Sequence, residues 1–155
     1  MAGGVEGRSC VGSRGSDETL SLTVTTGVLE TMAFHAREDA PREACGILGS
    51  DPAGVVVRAE RVANVAKGTR MFRLDPAGEL DAFESLDAAG LEFAGIYHSH
   101  PAGGGRPSTA DVEGAELAAA RASVIVVPRE DGGADVTAFS VAGREPHELR
   151  VLVTG

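Results

Sequence analysis

Cysteine is scarce in this chain: Cys10 lies in a Gly/Ser-rich lead and Cys45 in an apolar segment. Two thiols so placed make neither a disulfide framework nor a thiolate metal site, and both are expected to be reduced. No run approaches the roughly 18 apolar residues of a transmembrane helix, and the N-terminus lacks the apolar stretch of a secretory signal, so the expected location is the cytoplasm. Positive charge is in deficit, with 14 Lys plus Arg against 23 Asp plus Glu and a net charge of −9. Binding to phosphates needs clustered positive charge, so neither nucleic acid nor an anionic membrane is an expected partner. Lysine is almost missing, Lys67 being the only one among the basic residues. That bias, with abundant Ala and Gly, fits a GC-rich genome and carries no mechanistic content.

What remains is an ordinary globular composition: 155 residues, 43% hydrophobic and 24% charged. A chain of this length buries roughly 70% of its unfolded surface, enough for one core. Residues 1–19 combine Gly, Ser and scattered charge with little to bury, so they are expected to form a flexible tail before a single domain over residues 20–155. There is no internal repeat.

Pattern and punctuation then predict the elements. A β-branched run, Leu22 to Thr25, precedes Val28, Leu29, Met32, Ala33 and Ala36 at helical spacing, with Thr26 as cap and Pro41 as stop. His35 falls on the apolar side of that helix, where a packing role is the expectation. Ala44–Gly49, the turn Asp51–Gly54 and the run from Val55 read as a hairpin. Asp75-Pro76 opens a second helix, carried by Leu80, Phe83, Glu84 and Leu86 and ended by Gly90. Glu92–His98 is a strand, Ser108–Arg121 a helix, and Ser123–Val127, Val136–Val141 and Leu149–Val153 are strands. The class is α/β, a single domain with a mixed, curved sheet flanked by helices.

The chemistry concentrates in residues 98–111. Side chains alternate along a strand, so Ala94, Ile96, His98 and His100 share one face and both imidazoles can converge on one ion. Pro101 ends the strand, three glycines allow a tight return, and Pro107-Ser108 starts a helix whose first turn carries Asp111. Two His and one Asp are ligands that zinc accepts, and they leave a fourth position open, as in catalytic sites. Ser108-x-x-Asp111 also reads as a capping box, which alone would need no metal.

His98-Ser99-His100-Pro101 with Pro107-Ser108-x-x-Asp111 resembles the His-x-His-Pro…Pro-Ser-x-x-Asp motif of the JAMM (MPN-plus) metalloproteases. The segment from Pro41 to Gly49, PREACGILG, resembles the one that carries that family's upstream glutamate. The resemblance runs from about Leu22 to Val153 and implies a JAMM/MPN, cytidine-deaminase-like fold. It implies one Zn2+ per chain held by His98, His100 and Asp111. It further implies Glu43 as general base and Ser108 as hydrogen-bond donor to the oxyanion, the latter compatible with a helix-capping role. Spacing alone does not find Glu43, because an acidic residue at a strand start is usually solvated surface. In that chemistry a metal-activated water, its pKa lowered to about 7, attacks a zinc-polarised carbonyl and Glu43 moves the proton to the leaving amine.

A short chain without large insertions resembles the minimal prokaryotic members, which process ubiquitin-like sulfur-carrier proteins after a terminal Gly-Gly. The expected substrate is therefore such a carrier. A non-catalytic MPN-type scaffold is the rival reading, opposed by the complete motif. A zinc nucleobase deaminase would need the Pro-Cys-x-x-Cys pair that is absent here. Cys45 shares a face with Glu43 but is expected to be a small buried residue. Arg106 is expected to be an exposed loop residue, and His147 receives no role.

Overall fold

The structure is a computed structural model that describes residues 21–142 and 144–155. The expected N-terminal tail lies outside the described residues. The element order is β1 (Ser21–Thr25), α1 (Thr26–Asp39), β2 (Cys45–Ser50), β3 (Val56–Val62), α2 (Pro76–Ala88), β4 (Glu92–Ser99), α3 (Thr109–Leu117), β5 (Ala122–Pro128), β6 (Ala134–Ala142) and β7 (Glu145–Thr154). The strands run β1-β3-β2-β4-β5-β6-β7 and the sheet closes on itself where β1 pairs in parallel with β7. It is the mixed, curved sheet expected, with curvature carried to closure. Among the described residues no helix is long and apolar enough to cross a membrane.

Each helix covers its own part of the sheet. Val28, Met32 and Ala36 of α1 pack with Val24, Leu48, Tyr97 and Val124. Ala82 and Leu86 of α2 pack on Ile47 and Val62. Val112 and Ala115 of α3 pack on Ile125 and Phe139. Burying one such aliphatic side chain contributes about 1.5–3 kcal/mol. His35 is buried as expected, its Nδ1 2.7 Å from the Tyr97 hydroxyl and its Nε2 3.1 Å from Asp39.

Four expectations need correction. Helix α1 is capped by Thr25, whose hydroxyl accepts the Val28 N–H at 3.2 Å, because the helix begins at Thr26 directly after β1 and leaves the last strand residue as the cap. Leu80 does not face the core but is 58% exposed, since Ala82 and Leu86 define the buried side of α2. Helix α3 stops at Leu117 rather than Arg121, and Ala119 adopts a φ of 54° that no α-helix continues through. Ala94 does not share the face of Ile96. Leu48 and Gly49 pair with Gly95 and Phe93, leaving Ala94 as the extra residue of a bulge that turns it into the α1 core.

Candidate active site

Strand β4 lies at the centre of the sheet between β2 and β5, so its C-terminal end is held from both sides. His98, near that end, is fully buried and pairs in register with Cys45 of β2 and Ile125 of β5. After Pro101 the chain reverses through Gly103 and Gly104, at φ of 98° and 91°, a conformation residues with a Cβ rarely adopt. Ser108 then caps α3: its hydroxyl accepts the Asp111 N–H at 3.1 Å, and its own N–H donates to Asp111 Oδ2 at 2.9 Å. The expected capping box is present, and it fixes the carboxylate that faces the imidazoles.

Two imidazole nitrogens face each other and the two oxygens of one carboxylate. His98 Nε2 lies 3.1 Å from His100 Nε2 and 3.2 Å from Asp111 Oδ1, and His100 Nε2 lies 3.1 Å from Asp111 Oδ2. Ligands about 2.0–2.1 Å from one tetrahedral metal ion stand roughly 3.3 Å apart, so contacts of 3.1–3.2 Å have the scale of a metal-ligand set. His100 Nδ1 lies 2.7 Å from the Gly104 carbonyl. Such a bond places the proton on Nδ1 and leaves Nε2 with a lone pair for a metal. Two imidazole nitrogens and a carboxylate at this spacing are a donor set that can hold a small metal ion.

Glu43 completes the group. One of its carboxylate oxygens and a ring nitrogen of each histidine all lie within 4.8 Å of one another. The residue is buried, and its Oε1 has no hydrogen-bond partner among the described residues, an arrangement that costs stability and marks a group awaiting something to act on. Burial pushes the Glu43 carboxyl up to about 7. Burial alone would also raise Asp111, but in the metal-free site the His100 and His98 rings, when protonated at Nε2, outweigh it and hold that carboxyl well below its usual range. Burial lowers His98, whereas the Asp111 contact raises His100. Two carboxyls with opposed environments suit two tasks, proton transfer and charge-bearing ligation.

The structure thus brings together Glu43, His98, His100, Ser108 and Asp111. Cys45 is fully buried behind the site and its thiol donates to the Val62 carbonyl at 3.4 Å. Arg106 and His147 are exposed.

Three further residues at the site were not singled out from the sequence. Ser99 lies between the two histidines, and its hydroxyl accepts the Ala44 N–H. Asn64 donates to the Glu43 carbonyl at 2.9 Å and to that of Met71 at 3.1 Å, while its Oδ1 accepts the N–H groups of Ala66 and Arg73. Phe72 lies flat on the His98 ring, centroids 4.4 Å apart and planes 19° apart. Ser99 had a local signal in its position between the histidines; Asn64 and Phe72 had none, since their partners are distant in the chain.

Residues 25–141 match the family described as prokaryotic homologs of the JAB domain. A desampylase of Haloferax volcanii is 35% identical over 138 residues, covering 85% of this chain and 96% of the relative. A CysO-cysteine peptidase of Mycobacterium tuberculosis is 34% identical over 99 residues, covering 59% of this chain and 64% of the relative. The solution structure of a Desulfitobacterium hafniense protein superposes with a TM-score of 0.74 at 29% identity, covering 86% of this chain and 92% of the other.

Proposed function

The chain belongs to the prokaryotic JAB-domain branch of the JAMM/MPN peptidases, and from that membership we propose that it is a zinc enzyme cutting the peptide or isopeptide bond just after the Gly-Gly end of a ubiquitin-like sulfur-carrier protein. The observation that carries this reading is the convergence of His98, His100 and Asp111 beside the buried carboxyl of Glu43, whose Oε1 has no partner among the described residues. Names such as desampylase and CysO-cysteine peptidase among the relatives support the carrier as the substrate class.

His98 Nε2, His100 Nε2 and the Asp111 carboxylate would hold the metal. When bound, zinc supplies a Lewis acid that polarises a carbonyl and lowers the pKa of water. Glu43 takes the proton of the attacking water and returns it to the leaving nitrogen, a task suited to a carboxyl held near neutrality. The Ser108 hydroxyl oxygen accepts the Asp111 N–H, which leaves its own hydrogen free to donate to the oxyanion. Capping and oxyanion stabilisation are thus compatible in one side chain.

The test is mass spectrometry of a carrier extended beyond its Gly-Gly by cysteine or a short peptide. A single cut after the second glycine, lost with chelator and restored by zinc, is expected. Cleavage of unrelated unfolded peptides at similar rates would show a general peptidase, and no cleavage by zinc-loaded protein would favour the scaffold.

A further inference from the structure

Phe72 belongs to the loop between β3 and α2, which the Asn64 side chain ties to the Glu43 carbonyl, so the loop and Glu43 share one anchor. The loop turns the Phe72 ring onto the face of His98, which is fully buried. His98 Nε2 lies at the edge of that imidazole. A parallel ring stacked on it therefore stands one ring thickness to the side of the donor atom and borders the space where a carbonyl must arrive.

The same ring walls a groove of about 400 Å³ whose other sides include Met71, Leu74, Ile96, Asp111 and Leu117. Of the site residues the groove touches Asp111. Met71 and Leu117, 51% and 89% exposed, mark its apolar sides, more exposure than isolated packing residues need. A substrate strand laid in it would run past the Phe72 ring toward Asp111, and there a side-chain Cβ would meet a flat aromatic wall backed by His98, whereas a glycine would present only backbone.

We infer that Phe72 is the specificity-determining residue that restricts the cleavage position to glycine. This rests on the reading of a Gly-Gly tail as substrate. Removing the ring opens space on the groove side, so methyl-bearing residues gain more than glycine does. One added methyl in a tight apolar site discriminates by roughly tenfold or more, which sets the scale of the effect.

The test fuses a ubiquitin-like carrier to a short reporter peptide through Gly-Gly or through Ala-Ala. It measures kcat/KM for both fusions with the wild type, Phe72→Ala, Phe72→Leu and Phe72→Tyr, with zinc content assayed alongside. The wild type should prefer Gly-Gly, Phe72→Tyr should keep that preference, and Phe72→Ala should reduce it by about tenfold or more because Ala-Ala is cut faster. If Phe72→Ala does not fold or hold zinc, Phe72→Leu decides on the same ratio. An unchanged ratio in a zinc-loaded variant, or a ratio that falls only because Gly-Gly slows, overturns the role of Phe72 and leaves the tail reading standing. A wild type without preference overturns both.

Discussion

Ser99 and Ala44 hold each other twice: the Ala44 N–H donates to the Ser99 hydroxyl at 2.8 Å, and the Ser99 N–H donates to the Ala44 carbonyl at 2.9 Å. Ala44 follows Glu43, and Ser99 lies between His98 and His100. The pair therefore fastens the general base to the metal-ligand strand at the point where regular β2–β4 pairing ends. It is a positioning contact, made of one side chain and two backbones.

Ser99→Ala should leave the buried Ala44 N–H without its acceptor, at a cost of about 1–3 kcal/mol. Thermal melts should show the loss of stability, and turnover should fall further than zinc content does, because Glu43 shifts relative to the histidines. Full turnover with unchanged melting would show that the contact positions nothing.

Glu43 sets up a pH signature in metal-free protein. Its carboxyl titrates near 7 when folded, against about 4.5 for the ordinary group, because burial disfavours the charge. The stability contributed by the protonated form is fully present below about pH 4.5 and is lost as pH rises through about 7. Glu43→Gln cannot ionise. In chelator the variant should gain on the wild type between about pH 5 and pH 8, by on the order of 1–3 kcal/mol. Asp111 stays ionised across this window, and the titrations of His98 and His100 occur in both proteins and cancel to first order in the difference. Denaturant melts at the two pH values check this, and a gap that does not widen contradicts it.

Cys45 should be chemically silent. It is fully buried, burial pushes its thiol up to about 12, and the thiolate is the reactive form. In a Cys10→Ser background a thiol reagent near pH 8 should label nothing in the native protein and one thiol per chain after denaturation. Rapid labelling of the native protein would place Cys45 at an open site instead.

The local chemistry of the active site was legible where it is local in sequence. Two histidines two residues apart, one near the end of a strand and one just past it, a proline stop and a capping box that carries a carboxylate are all dictated within residues 98–111, and the structure brings them together. Glu43 was reachable only through family resemblance, because its burial depends on β2 lying beside β4. Phe72 and Asn64 were not reachable at all, since a loop gives no period from which to infer its long-range partners. The strands were legible from β-branched runs, yet the bulge at Ala94 was not, because alternation continues through it in sequence while the backbone shifts by one residue.

The most direct measurement pairs zinc analysis with cleavage kinetics for the wild type and Glu43→Gln, using the carrier extended beyond its Gly-Gly. Removing a proton acceptor without removing a ligand should leave about one zinc per chain in both proteins and lower turnover by roughly 10²–10⁴-fold in the variant. Near wild-type cleavage by zinc-loaded Glu43→Gln would contradict the account.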